Sequence, residues 1–115
     1  MMAEDLTQAW ADKKLTPEQI HLYLETCIAP DMARENSVGL VHVADLCHHL
    51  YLWSWQQYDL GSFLTAVKDN NLSNAVMYAD DVNKTALWIY VAFLYNVAPS
   101  GWQKRNEVKK EEVQL

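Results

Sequence analysis

Along most of the chain, apolar residues recur every three or four positions, the spacing of a helix that buries one face. Between residues 2 and 13, Met2, Leu6, Ala9 and Trp10 share such a face, and Glu4 and Asp5 stand where the positive end of the helix favours carboxylates. The sharpest local signal follows. Thr16-Pro17-Glu18-Gln19 combines a capping hydroxyl, a proline at the first helical position and a glutamine three residues after the cap. Leu15 and Ile20 flank this start as a hydrophobic staple. The helix it predicts buries Ile20, Tyr23, Leu24, Cys27 and Ile28, and Pro30 ends it. Residues 2–28 therefore read as a helical hairpin.

Residues 31–36 are polar and short, either a turn or a single helical turn, after which Ser37 is a candidate cap. Over residues 38–58 the positions Leu40, Val43, Ala44, Cys47, Leu50, Tyr51, Trp55 and Tyr58 keep the helical step, although residues 38–43 also suit the opening of a strand. Asp59 is the expected cap of a helix striped by Leu60, Phe63, Leu64 and Val67 and stopped at Asp69-Asn70-Asn71. Asn71 or Ser73 caps a short piece over 74–79, with Ala75, Val76 and Ala79 inward. Asp80 or Asp81 then starts the last apolar helix, which stops before Pro99-Ser100-Gly101. A continuous period across Val82 and Ala86 also permits these two pieces to be one helix.

The fold class this pattern predicts is all-α: a compact bundle of five to six short helices around the apolar helix at 86–97, as a single domain over 1–101. From 102 to 115 lysines, arginine and glutamates interleave, the pattern of a charged tail or exposed helix with internal ion pairs. Composition narrows the class further. A chain of 115 residues suits one domain, and three glycines and three prolines are too few for the turns of an all-β fold. A net charge of −6 and a pI near 5.0 disfavour direct binding to nucleic acid or to an anionic membrane. The N-terminus lacks the basic start and unbroken apolar core of a secretory signal, and the most apolar stretch, 86–98, is too short to span a bilayer. Cys27 and Cys47 allow at most one bridge and read as two reduced core thiols. Together these features predict a cytoplasmic protein without a cofactor.

Candidate chemistry is sparse. His42, Asp45 and His49 lie one helical turn apart and could converge on one cation, a two-imidazole, one-carboxylate set suited to iron, zinc or manganese. The simpler reading is that His42, Asp45, His49 and Gln56 form a solvated stripe between the apolar faces, with an Asp–His pair, and no fourth protein ligand is apparent. Cys47 and His48 are adjacent and so point about 100° apart on a helix, which is wrong for a thiol and its base. No Gly-x-Ser-x-Gly turn or phosphate-cradling glycine loop occurs. A metal-assisted enzyme using His42, Asp45 and His49 is thus an alternative reading, and an acidic mimic of nucleic acid is another, although the carboxylates are dispersed rather than massed.

The aromatic load changes the picture most. Five Trp, six Tyr and two Phe occur in 115 residues, and Leu87, Trp88, Ile89, Tyr90, Val91, Phe93, Leu94 and Tyr95 leave the last helix without a polar side. A chain of this length buries only about two-thirds of its extended surface, so sheathing such a helix completely strains one small domain. Trp and Tyr are also enriched where proteins meet. The expected function is a small non-enzymatic interaction module, an adaptor, regulator or inhibitor of a larger protein, homodimeric through its aromatic helices. Trp53, Trp55, Trp88 and Tyr95 are the candidate anchors.

Overall fold

The computed structural model describes residues 2–104. The chain is all-α, with no strand among the described residues. Its elements are α1 (Ala3–Ala11), α2 (Pro17–Tyr23) continued by a π-helical turn (Leu24–Ile28), α3 (Pro30–Glu35), α4 (Ser37–Ser54), α5 (Ser62–Lys68), α6 (Leu72–Tyr78) and α7 (Asp81–Val97). These are more and shorter pieces than the five or six expected.

The local starts explain most of the boundaries. At α2 the Thr16 hydroxyl accepts from the Gln19 amide at 3.2 Å while the Gln19 side chain accepts from the Thr16 amide at 2.9 Å, and both staple residues, Leu15 and Ile20, are buried. Pro30 plays two parts. It closes the π-helical turn and stands at the first position of α3, so the polar stretch 31–36 is a helix rather than an open turn. The strand option at 38–43 loses to a cap: the Asn36 side chain, not Ser37, accepts from the Gly39 amide at 3.0 Å. A Cβ at Gly39 would collide with the Asn36 carboxamide and displace this cap. The helix at 62–68 starts from Gly61 without a side-chain cap, so Asp59 does not perform the role expected of it. Asn71 and Asp80 do cap, through the Asn74 amide at 3.1 Å and the Asn83 amide at 2.8 Å. Extended backbone at Ala79 (ψ 140°) and Asp80 (ψ 178°) separates α6 from α7, which settles the one-helix alternative.

Three helices end on a left-handed residue other than glycine. After α1, α4 and α5, the residues Lys13, Gln56 and Asn70 take the left-handed conformation, with φ of 59°, 61° and 58°. In each case its amide and the next return to carbonyls inside the last turn, a Schellman closure.

The core runs through Leu6, Trp10, Ile20, Leu24, Leu40, Val43, Cys47, Leu50, Ile89, Tyr90, Phe93 and Val97, all essentially inaccessible. α4 packs against α2, α3 and α7, and α1 lies across α7, where the Thr7 hydroxyl donates to the Val97 carbonyl at 2.7 Å. α5 and α6 pair as a hairpin and meet the rest through α4 and α7. The molecule measures 50 × 32 × 18 Å. A helix with side chains is about 10 Å across, so the thin dimension holds only about two layers, and a helix in either layer keeps one side outward.

Two expectations about burial are corrected. Cys47 is buried but Cys27 is exposed, because the π-helical turn rotates residues 24–28 off the period of α2; only Leu24 of that turn is buried. Trp102 is not the start of a solvated tail. Gly101, at φ 77°, turns the chain back, and the Trp102 ring is buried in edge contact with Trp10 and Trp53 at centroid separations of 5.7 and 5.8 Å. The rest of the predicted charged tail, 105–115, lies outside the described residues.

Candidate interaction face

α7 has two apolar sides of opposite fate. Ala86, Ile89, Tyr90, Phe93 and Val97 point into the protein, where the Tyr90 hydroxyl donates to Asn83 Oδ1 at 2.7 Å. Burial pushes the Tyr90 phenol well above its ordinary range, so it remains a neutral donor. The outer side carries Trp88, Val91 and Tyr95, exposed to 54 %, 58 % and 89 %. These are three apolar side chains at steps of three and four residues, hence one stripe.

α6 extends this surface. A dimple of about 50 Å³ lies where α5 and α6 meet α7, lined by Val67, Leu72, Ala75, Leu87 and Val91 among others. Pockets for small molecules are usually about 300–1,000 Å³, so this one suits the end of a single side chain. Leu72 and Val76, one turn apart on α6, are both exposed. Val91 thus belongs to the stripe and to the dimple, joining the two helices into one apolar face. Ala75 and Ala79 do turn inward, but Val76 does not; a seven-residue helix buries one narrow edge, and the alanines occupy it.

The four candidate anchors divide between two places. Trp88 and Tyr95 stand on the stripe. Trp53 is buried against Trp102, with the Lys68 ammonium 4.8 Å from its ring centre. Trp55 is half-buried at the C-cap of α4, donating its Nε1 hydrogen to the Trp10 carbonyl at 3.0 Å beneath the Lys13 ammonium. These two indoles serve the chain's own packing.

The predicted metal set does not come together. His42 Nε2 lies 3.7 Å from Asp80 Oδ2 at the start of α7, whereas His49 Nε2 lies 3.9 Å from Asp45 Oδ2 and its ring stacks on Tyr58 at 4.2 Å. α7 docks beside α4 and offers His42 a nearer carboxylate. Among the described residues no three His, Cys, Asp or Glu side chains are placed to hold a metal ion. His48 approaches the Leu15 carbonyl at 3.0 Å, away from Cys47, whose burial pushes its thiol well above the ordinary range. Such a thiol is a poor nucleophile.

Two other hollows are polar at their edges. One of about 220 Å³ between α2 and α4 brings His21 near Glu18 and Asp45 over Pro17, Val41 and Ala44. The other, of about 380 Å³, is a cleft between α5 and α6 lined by Ser62, Thr65, Asp69, Asn74 and Tyr78 among others. Neither brings a thiol, or a hydroxyl beside an imidazole, to its surface. No helix among the described residues is long and apolar enough to cross a membrane. Comparison with protein-family models, with curated proteins and with solved structures finds no match to this chain.

Proposed function

We propose that this chain is a small, non-enzymatic, cytoplasmic interaction module that self-associates through the outer face of α7 and in that form acts as an adaptor, regulator or inhibitor of a larger protein. The observation that carries this reading is the stripe of Trp88, Val91 and Tyr95, half or more exposed on a helix whose opposite side is core. Large apolar side chains in a contiguous exposed row mark interaction sites, because their burial against a partner gains what their own chain does not supply. Trp and Tyr suit such a role, burying a wide ring while keeping one polar atom for the rim. The hydrogen-bonded, immobilised aromatics lie elsewhere, so the stripe is not left over from core packing.

Sedimentation velocity tests the reading. The intact chain is expected to shift from monomer to dimer with concentration, and Tyr95→Ala to weaken that association by about 30-fold, the loss of about 2 kcal/mol typical of an interface anchor. A monomer at every concentration, unaffected by the substitution, overturns it.

A further inference from the structure

The exposed side of α7 has a period as well as a composition. Asp81, Lys84, Trp88, Val91 and Tyr95 are all exposed and follow one another at steps of three, four, three and four. That average of 3.5 residues is the one with which a helix keeps a single seam toward another helix. We propose that the occupant of this seam is α7 of a second copy, packed antiparallel about a two-fold axis at Val91; this rests on the self-association reading above.

Three features favour that occupant. The seam is nearly symmetric about Val91, with an aromatic residue three positions before it and another four positions after. An antiparallel two-fold therefore sets Trp88 of one copy against Tyr95 of the other twice over, leaving valine against valine at the axis. Charge selects the direction. Asp81 and Lys84 are the charged residues on the seam and both stand in the first turn of α7, while the last turn carries no basic residue. About an axis at Val91, antiparallel packing brings each Lys84 ammonium to the carbonyl end of the facing helix, where the dipole is negative, and carries Asp81 past that end; parallel packing sets Lys84 against Lys84 and Asp81 against Asp81. Area agrees as well. The three exposed apolar side chains of α7 supply only a few hundred Å². Leu72 and Val76 of α6, continuous with them through Val91, bring the face toward the ~800 Å² per partner of a stable interface.

Nitroxide labels test the direction. Lys84→Cys and Val91→Cys are prepared separately in a chain carrying Cys27→Ser; Cys47 is buried, and both labelled positions are exposed, so folding is not at stake. At concentrations where sedimentation shows a dimer, labels at 91 should lie about 10 Å apart, the spacing of packed helices. Labels at 84 should lie more than about 20 Å apart, since seven residues at 1.5 Å separate each from the axis. Short distances at both positions mean a parallel pair, which overturns this proposal and leaves self-association standing. Long distances at both in a proven dimer place the contact elsewhere and overturn it too. A chain that remains monomeric, with no distance at either position, removes the reading on which it rests.

Discussion

Trp10 in α1 and Trp88 in α7 are the same side chain in opposite surroundings. The Trp10 ring is wholly buried, meets Tyr51 edge-on at 5.6 Å and Phe93 face-on at 6.2 Å, and donates its Nε1 hydrogen to the Ser54 hydroxyl at 3.0 Å. Ser54 in turn donates to the Tyr51 carbonyl at 2.6 Å, so the indole N–H and the hydroxyl that receives it both have partners. Trp88 is more than half exposed. The contrast teaches where each indole's free energy is spent: at Trp10 on holding α1, α4 and α7 together, at Trp88 only in part within the single chain.

One substitution at both positions breaks or sharpens that contrast, and it carries the largest effect. Trp10→Ala should lower the unfolding free energy by about 3–5 kcal/mol, because it empties a site that its hydrogen-bonded, ring-packed walls cannot collapse into. Trp88→Ala, measured at a concentration where the chain is dissociated, should change it by only about 1 kcal/mol, because half of the residue already faces solvent. Denaturant midpoints read both. Equal losses would mean that Trp88 is structural and would dissolve the distinction between the two regions.

A step smaller is Trp102, which extends the buried region to the C-terminal edge of the described chain. Its ring closes the far side of the Trp10 and Trp53 cluster. Trp102→Ala should cost about 3 kcal/mol in the same measurement, at the lower end of the range for a buried indole because one side of the site adjoins the surface. A silent substitution would return the boundary of the domain to residue 101.

That boundary shows what the pattern along the chain could convey. The all-α class, the α2 start and the inward faces of α1 and α4 were legible because each depends on neighbours within about four residues: Thr16 with Gln19, Leu6 with Trp10, Val43 with Cys47. What depends on distant chain was not. Trp102 follows Pro99-Ser100-Gly101 and precedes a run of charge, so nothing local distinguishes it from the tail; its partners lie 92 and 49 residues away (102 − 10 and 102 − 53). His42 looked like a partner for Asp45 until α7 placed Asp80 beside it. The π-helical turn that exposes Cys27 has no signature in the residues themselves. At the candidate site, the apolar period of α7 pointed to Trp88 and Tyr95, but a helix apolar all round does not declare which side its own chain will cover. Trp53 and Trp55 share α4 and its C-cap with a side-chain pattern just as apolar, yet they face α1 and residue 102 rather than solvent.

Between the locked and the bare rings stands a third kind of site, His49 on α4, and it carries the smallest effect. Its side chain is 21 % exposed, stacked on Tyr58 and 3.9 Å from the Asp45 carboxylate. Burial lowers its affinity for a proton below the ordinary value of 6.5; Asp45 opposes this only in part, and the nearby imidazoles of His48 and His42 add to it. The sign follows from linkage. The unfolded chain takes up a proton at this histidine more readily than the folded one, so the contribution is fully present above pH 6.5 and is lost as acid is added through and below that value. His49→Phe keeps a ring on Tyr58 but removes the titration. Denaturant midpoints at pH 7.5 and 5.5 should therefore fall more for the intact chain than for the variant, with the difference confined to the acid side. A smaller fall in the intact chain would mean that the Asp45 carboxylate outweighs burial, and His49 would then belong with the solvated stripe of α4 rather than with its packed rings.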